Sequence, residues 1–297
     1  MKSFSLSSYT GGNIWKAYFY ITKPGIIGGN LIAAFGGFML GTQGSIQPGA
    51  LFGVLVGMAF SIASGCVLNN YIDRDIDSKM ERTQQRTAIV KLIPAKNALL
   101  YAFILAVIGV STLALFTNWL VLAAAALGFV FYIGIYTYTK RHSILGVHMG
   151  AVSGAVPLVS GYLAATNHFD LGALLLFFIL FLWQMPHFYA ISIFRMEDYK
   201  KAHIPALPIK RGIAETKLHI ITYIILFILA CLSLTLFQFT KYAYAAGMLT
   251  VGILWLLRAL QGFKTHDDIR WARKVFGLSL LNLLVFNLLI SLAVILP

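Results

Sequence analysis

Nine continuous apolar segments follow one another along the chain, and each is long enough to cross a lipid bilayer. A helix rises about 1.5 Å per residue, so about 20 residues span a hydrocarbon core of roughly 30 Å. The apolar positions run on without the alternation that is typical of a membrane β-strand. The pattern predicts nine transmembrane helices, near residues 25–43, 50–70, 98–117, 119–138, 144–164, 171–193, 218–238, 242–260 and 275–296.

Composition excludes a water-soluble domain. Of the 297 residues, 59% are hydrophobic and only 11% are charged, and the mean hydropathy is +0.80. Soluble domains contain about 25% charged residues. The chain is therefore predicted to be all-α, a polytopic membrane bundle of nine helices that forms a single domain over residues 25–297.

A short segment before the first apolar run has a different character. Between Asn13 and Lys23, aromatic residues such as Trp15 and Phe19 alternate with Lys16 and Lys23. That mixture suits a helix that lies in the membrane interface. We therefore interpret residues 1–24 as an N-terminal interfacial segment.

The charged residues predict the orientation of the bundle. All but one of the 23 Lys and Arg residues, Lys241, fall on one side of the predicted membrane, as do all acidic residues but Asp170. Basic residues collect on the cytoplasmic side. The N-terminus is thus predicted to be cytoplasmic and the C-terminus outside, with cytoplasmic loops at 71–97, 139–143, 194–217 and 261–274. Topology accounts for the net charge of +13, and no nucleic-acid partner is expected.

Four of the ten acidic residues lie close together in the predicted loop 71–97. Asn69, Asp73 and Asp77 recur at intervals of four residues, which places them on one helical face about 6 Å apart along the axis. Like charges at this spacing repel, but a hard cation such as Mg²⁺ binds oxygen ligands of this kind together with substrate phosphates. The alternative is a solvated helix in which these carboxylates pair with nearby basic residues. Of those basic residues, Arg82 and Arg86 could instead clamp phosphate oxygens.

A second polar group lies inside an apolar segment. His187 follows Pro186 about eight residues before Arg195, which puts it roughly 12 Å below the charged surface. A titratable group at that depth is a candidate for substrate contact. The alternative is a histidine that is hydrogen-bonded to a neighbouring helix.

These motifs resemble those of the intramembrane prenyltransferases, the superfamily of 4-hydroxybenzoate polyprenyltransferase. The Asn69–Asp73–Asp77 pattern is similar to the family's first aspartate motif, and Asp198-Tyr199 stands where the second is found. Residue by residue, the resemblance implies catalytic roles for Asp73, Asp77, Lys140 and Asp198, metal ligation by Asn69, Asp73, Asp77 and Asp198, and substrate binding by Lys23, Asn30, Asn69, Arg82, Arg86, Tyr136, Arg141, His187 and Arg195. Ala202 departs from the pattern, since many relatives have a second aspartate there, so only Glu197 and Asp198 can supply carboxylate at the second motif.

Longer motifs, among them the run from Trp183 to Arg195, resemble the branch of this superfamily that farnesylates protoheme IX. That resemblance implies a Mg²⁺-dependent transfer from farnesyl diphosphate to a vinyl group of haem b. The expected product is haem O, the expected role is haem–copper oxidase assembly, and the expected location is the cell inner membrane. Contact with haem A synthase or a terminal oxidase is implied in the same way.

Two alternatives remain open from the sequence. A prenyltransferase of the same superfamily could use a quinone precursor as acceptor. A transporter would also be a helical membrane protein, but transport paths usually contain polar groups near the membrane midplane. Here Asp and Glu are found only in loops and at the ends of the apolar segments.

The charge asymmetry generates a prediction about topology. Reporter domains fused after Gly44, Asn118, Asn167 and the C-terminus should be found outside the cytoplasm. Fusions near Gln84, Arg141, His203 and Lys264 should be found inside. Two or more reversed loops would contradict the nine-helix arrangement.

Overall fold

The computed structural model describes residues 14–297, apart from the side chains of Gln85, Arg86 and Ala88, and that part contains helices and no strand. The predicted all-α class is therefore confirmed. The α-helices are α1 (Ile14–Ile21), α2 (Pro24–Thr42), α3 (Pro48–Ile72), α4 (Arg74–Asp77), α5 (Gln84–Lys91), α6 (Ala95–Phe116), α7 (Trp119–Val130), α8 (Thr137–His142), α9 (Gly146–Thr166), α10 (Leu171–Phe194), α11 (Met196–Lys201), α12 (Leu207–Lys210), α13 (Gly212–Leu236), α14 (Tyr242–Leu260) and α15 (Asp268–Ser291). A π-helix, Phe131–Tyr136, joins α7 to α8, and a 3-10 helix, Gln261–Lys264, follows α14.

Nine spans within residues 14–297 are long and apolar enough to cross a membrane, as predicted. They are α2, α3, α6, the continuous run from α7 to α8, α9, α10, α13, the run from α14 to Lys264, and α15. The chain is a multi-pass membrane protein. Because consecutive spans are antiparallel, the connections after α3, α8, α10 and α14 lie at the same end of the bundle, which we call the charged end.

Two spans begin earlier than their apolar residues indicate. Helix α13 starts at Gly212 and α15 at Asp268, inside the predicted loops 194–217 and 261–274. Lys217 explains this extension, since its ammonium donates to the Gly262 carbonyl oxygen at 2.7 Å and pairs with Asp268 at 2.5 Å. A charged side chain thus joins three elements that hydropathy alone would separate.

Helix α9 is central to the packing. Every residue from 155 to 164 is buried, as expected of a helix that is enclosed on all sides. Its closest neighbour is α2, and small residues allow their contact: a Cβ atom at Gly161 would overlap the Ala34 carbonyl, and one at Gly37 would overlap the Leu158 carbonyl. Small residues at helix crossings are how membrane helices approach closely.

Asp170, the acidic residue outside the predicted charged end, has a structural role. Its carboxylate caps α10 by accepting from the Ala173 amide at 3.0 Å, and it also accepts from the Tyr162 hydroxyl at 2.9 Å. Such a cap satisfies a backbone donor that the first helical turn leaves free. The exception to the charge asymmetry therefore reflects helix capping.

Helix α1 lies beside the charged end. Ala17 and Ile21 are buried, whereas Trp15 and Phe19 are exposed. An exposed aromatic face next to a buried apolar face suits the membrane interface. Interfacial placement of residues 14–24 stays a prediction, and residues 1–13 lie outside the described part of the chain.

The close crossing of α2 and α9 predicts that substitution of Gly161, in α9, destabilises the protein more than substitution of Gly28, in α2. Gly161→Val should lower stability by about 1–3 kcal/mol, because the added side chain forces the two backbones apart. Gly28→Ala is the control, since a Cβ there meets nothing within 4 Å. Thermal unfolding of both variants in detergent checks this, and equal midpoints would contradict the close-packing account.

Candidate active site

The predicted acidic face, formed by Asn69, Asp73 and Asp77, lies at the junction of α3 and α4. Helix α3 ends at Ile72, but the backbone hydrogen bonds continue, since the Asp73 amide donates to Asn69 at 2.9 Å and the Asp77 amide donates to Asp73 at 2.8 Å. Asn69, Asp73 and Asp77 are all more than nine-tenths buried. The four-residue spacing therefore does place one amide and two carboxylates along one buried face at the charged end.

Asp73 is the centre of a network of cationic and amide groups. Its carboxylate accepts from the Asn69 amide at 2.7 Å and from Arg141 at 3.2 Å, and it forms a short ion pair with Lys140. Lys23 extends the network, because its ammonium donates to the Asn69 amide oxygen at 2.7 Å. Polar and charged side chains from three spans therefore meet around one carboxylate. These spans are α2, α3 and the one that ends in α8.

Local backbone features position the two lysines. Lys23 is a non-glycine residue in the left-handed region (φ 57°), at the sharp bend between α1 and α2. Lys140 follows the π-helix, and its ammonium lies 4.9 Å from the centre of the Tyr136 ring. Left-handed residues and π-helical turns are uncommon and often found at functional sites. The hydrophobic pattern gives no sign of either.

Asp75 has a role that the sequence did not reveal. This carboxylate is 57% exposed and binds the Arg141 guanidinium through both oxygens, at 2.7 and 2.8 Å. The hydrogen bond from Arg141 lowers the pKa of Asp75 to about 2. Asp75 therefore stays ionised at physiological pH and holds Arg141 where it also reaches Asp73.

The second aspartate motif meets the first across the bundle. Asp198, in α11, accepts from the backbone amide of Glu81 at 3.0 Å, and Arg195 lies 3.8 Å from its other oxygen. Ala202 is buried against Ile76 and Met80. Position 202 therefore contributes to the apolar contact between the two motifs, and a carboxylate there would be buried among apolar groups.

Three further residues of the predicted site, Arg82, Asn30 and Arg86, differ in where the structure places them. Arg82 lies near the phenols of Tyr136 and Tyr199, at the charged end. Burial raises the pKa of Tyr199, which stays neutral. Asn30 donates to the Ile26 carbonyl of its own helix at 2.8 Å, and no hydrogen bond joins it to the carboxylates among the described residues. The side chain of Arg86 lies outside the described part.

His187 lies in another part of the bundle, between α10 and α15. Its Nδ1 is 2.7 Å from the Ser279 hydroxyl, and its ring packs against Trp183 and Phe276 with centroid distances of 4.7 and 4.8 Å. This is the hydrogen-bonded arrangement that the sequence left open as an alternative. A substrate role for His187 stays a prediction.

The donor set at the charged end suits a hard cation bound together with a substrate. Asn69, Asp73 and Asp77 offer only oxygen ligands besides the amide nitrogen. Within the described chain, no group of three or more His, Cys, Asp and Glu residues lies close enough to hold a metal ion by itself. Mg²⁺ commonly uses one or two carboxylates, with water and phosphate completing its octahedron. The residues present fit that pattern, and Lys140 and Arg141 balance the charge of Asp73 in this structure.

Proteins from two other organisms are similar in sequence to this chain over most of its length. It is 50% identical over 277 residues to the protoheme IX farnesyltransferase of Chromohalobacter salexigens, a match that covers 93% of this chain and 94% of that protein. It is 48% identical, with the same coverage, to the protoheme IX farnesyltransferase of Serratia proteamaculans.

Solved structures share the fold at low sequence identity. A digeranylgeranylglyceryl phosphate synthase superposes with a TM-score of 0.80 at 19% identity and covers 95% of this chain and 99% of its own. A UbiA homolog from Archaeoglobus fulgidus bound to GPP and Mg²⁺ superposes with a TM-score of 0.65 at 15% identity, covering 93% and 99%. The model of the UbiA prenyltransferase family matches residues 30–284, and the chain belongs to that family.

Proposed function

We propose that this protein transfers the farnesyl group of farnesyl diphosphate to a vinyl group of haem b, giving haem O and diphosphate. The observation that carries the proposal is the buried Asp73 carboxylate, which pairs with Lys140 and Arg141 and accepts from Asn69 at one end of the bundle. The names of the relatives at 48–50% identity support the choice of substrates.

The cations at the charged end suit a leaving group with several negative charges. Lys23, Lys140 and Arg141 already converge on Asn69 and Asp73, and Arg82 lies nearby. When a diphosphate binds, these donors can exchange carboxylate partners for phosphate oxygens. Charge-assisted hydrogen bonds of this kind are stronger than neutral ones, and they stabilise charge as it develops on the leaving oxygen.

Asn69, Asp73, Asp77 and Asp198 are the residues that we expect to hold Mg²⁺, with the diphosphate as a further ligand. Bound there, Mg²⁺ would neutralise charge on the leaving diphosphate as a Lewis acid. The Archaeoglobus fulgidus homolog bound to GPP and Mg²⁺ supports this requirement. Asp198 already accepts from the Glu81 amide in the loop after the first motif, so α11 adds a carboxylate at the same end of the bundle.

The transfer step balances with one molecule of water. The bond between the allylic carbon and the diphosphate oxygen breaks, and the diphosphate leaves with the electron pair. The allylic carbon then bonds to the terminal vinyl carbon of haem b. Water adds to the adjacent carbon and loses a proton, which leaves a hydroxyl group. The role of the bundle is to keep water from the allylic cation before the acceptor attacks.

The bundle also suits the two apolar substrates. Many large apolar side chains are exposed on its spans, which suits contact with lipid and with an isoprenoid tail. We infer that the haem propionates face the basic charged end and that the vinyl edge points inward. The charged end would be cytoplasmic in the inner membrane, and the product would supply haem–copper oxidase assembly through contact with haem A synthase or the oxidase.

The buried carboxylates generate a prediction about turnover. Asp73→Asn or Asp77→Asn should reduce the rate at least about 100-fold, or ~2.7 kcal/mol, because the shape is kept but the anionic ligand is lost. Diphosphate release by the purified protein should require Mg²⁺ and stop in EDTA. Glu215→Gln, in an exposed pair with Arg211, is the matched control. A variant that retained about a tenth of wild-type turnover would remove that aspartate from the metal site.

His187 tests the acceptor side separately. We expect His187→Ala to lower haem conversion about tenfold and to leave binding of farnesyl diphosphate nearly unchanged, because the diphosphate is held at the charged end. Exposed His266→Ala is the control. Equal loss of haem conversion and diphosphate binding, together with a lower unfolding temperature, would show that the Ser279 hydrogen bond makes His187 structural.

A further inference from the structure

A second basic site lies outside the candidate active site. A pocket of about 440 Å³ opens between the end of α3, helix α4 and helix α5. Its polar lining consists of the cations Arg74 and Lys91 and the hydroxyls Ser78 and Thr87, and its apolar lining includes Val90 and Ile93. The pocket therefore combines groups that bind an anion with an apolar wall.

The two cations of this pocket are not neutralised by carboxylates. Neither Arg74 nor Lys91 forms an ion pair with an acidic residue within the described part of the chain, unlike Lys140 and Arg141. Arg74 instead donates to the Tyr71 carbonyl at 2.9 Å, with its guanidinium 5.0 Å from the centre of the Tyr71 ring. The Ser78 hydroxyl already donates to the Asp75 carbonyl at 2.7 Å, so the groups that suit a phosphate are the two uncompensated cations and the Thr87 hydroxyl.

Thr87 independently indicates a missing partner. This residue is only 7% exposed, and its hydroxyl has no hydrogen-bond partner among the described residues. Threonines inside helices usually donate to the carbonyl four residues earlier, as Thr112 and Thr216 do here at 2.7 and 2.8 Å. A buried hydroxyl that faces a basic pocket without a partner is suited to a ligand oxygen.

The position of the pocket favours an amphiphile. Helix α6 begins beside it, and its outward side chains Leu99, Leu100 and Phe103 are 54%, 59% and 65% exposed. In a membrane-spanning helix these side chains face lipid acyl chains. A single molecule can therefore place a phosphate group in the pocket and its hydrocarbon chains along α6.

We propose that this pocket binds the phosphate group of an anionic phospholipid, whose acyl chains lie against α6. The same phosphate chemistry could be supplied by free inorganic phosphate, and the test separates the two sources. Arg74 follows Asp73 directly in the chain, so an occupant would also fix the short helix that ends at Asp77. The site is distinct from the proposed transfer reaction, and its failure would leave that reaction intact.

Native mass spectrometry of the full chain in detergent tests the proposal. The chain is titrated with dioleoylphosphatidylglycerol or with dioleoylphosphatidylcholine. The first phosphatidylglycerol should bind more tightly than phosphatidylcholine, and Lys91→Gln should weaken it about fivefold, as expected for one lysine beside an anionic lipid. Lys96→Gln removes an equal charge from the same surface outside the pocket and should weaken binding clearly less than Lys91→Gln.

Two further arms complete the test. Thr87→Val keeps the side-chain shape, and it should weaken phosphatidylglycerol binding without lowering the unfolding temperature. Inorganic phosphate should fail to displace the lipid; if it binds and displaces the lipid in a Lys91-dependent way, the phosphate site stands and its source is the free ion. Absence of preference for phosphatidylglycerol, or equal effects of Lys91→Gln and Lys96→Gln, would overturn the proposal.

Discussion

The placement of a buried carboxylate at the membrane surface is the constraint on which the rest of this structure depends. Asp73 is only 4% exposed, and an ionised group so far from water is stable only when it is paired and hydrogen-bonded. The chain meets that requirement with Lys140, Arg141 and Asn69. The pairing connects spans that are distant in sequence, so the contacts that stabilise the charge of Asp73 also hold the helices together at the charged end.

This arrangement links stability and chemistry at one end of the molecule. Lys140 and Arg141 neutralise Asp73, and the Asn69 oxygen accepts from Lys23. In the proposed complex, Asn69, Asp73 and Asp77 would hold the metal ion, and the cations Lys23, Lys140 and Arg141 would donate to the diphosphate. Breaking a buried pair by removing one partner is strongly unfavourable, whereas exchanging one partner for another of like charge is not. The network is therefore suited to binding by exchange.

The sequence predicted the spans and the first aspartate face because both depend on local patterns. Continuous apolar runs define the nine spans. The four-residue spacing of Asn69, Asp73 and Asp77 keeps them on one face because the helical hydrogen bonds continue from α3 into α4. The sequence could not predict the Asp75–Arg141 contact, the left-handed Lys23 or the π-helix before Lys140, since these depend on how distant helices meet. Lys217 shows the same limit: hydropathy assigns it to a loop, but its contacts with Gly262 and Asp268 extend two helices. The burial of Ala202 against Ile76 and Met80 also depends on how distant helices meet, and no local pattern indicates it.

The acceptor is the central claim, and analysis of haems in membranes tests it most directly. Membranes that contain the active chain, supplied with farnesyl diphosphate and haem b, are extracted and analysed by liquid chromatography and mass spectrometry. We expect a haem that has gained one farnesyl group and one hydroxyl group. Unchanged haem b accompanied by a prenylated hydroxybenzoate would contradict it and assign the chain to a quinone precursor instead.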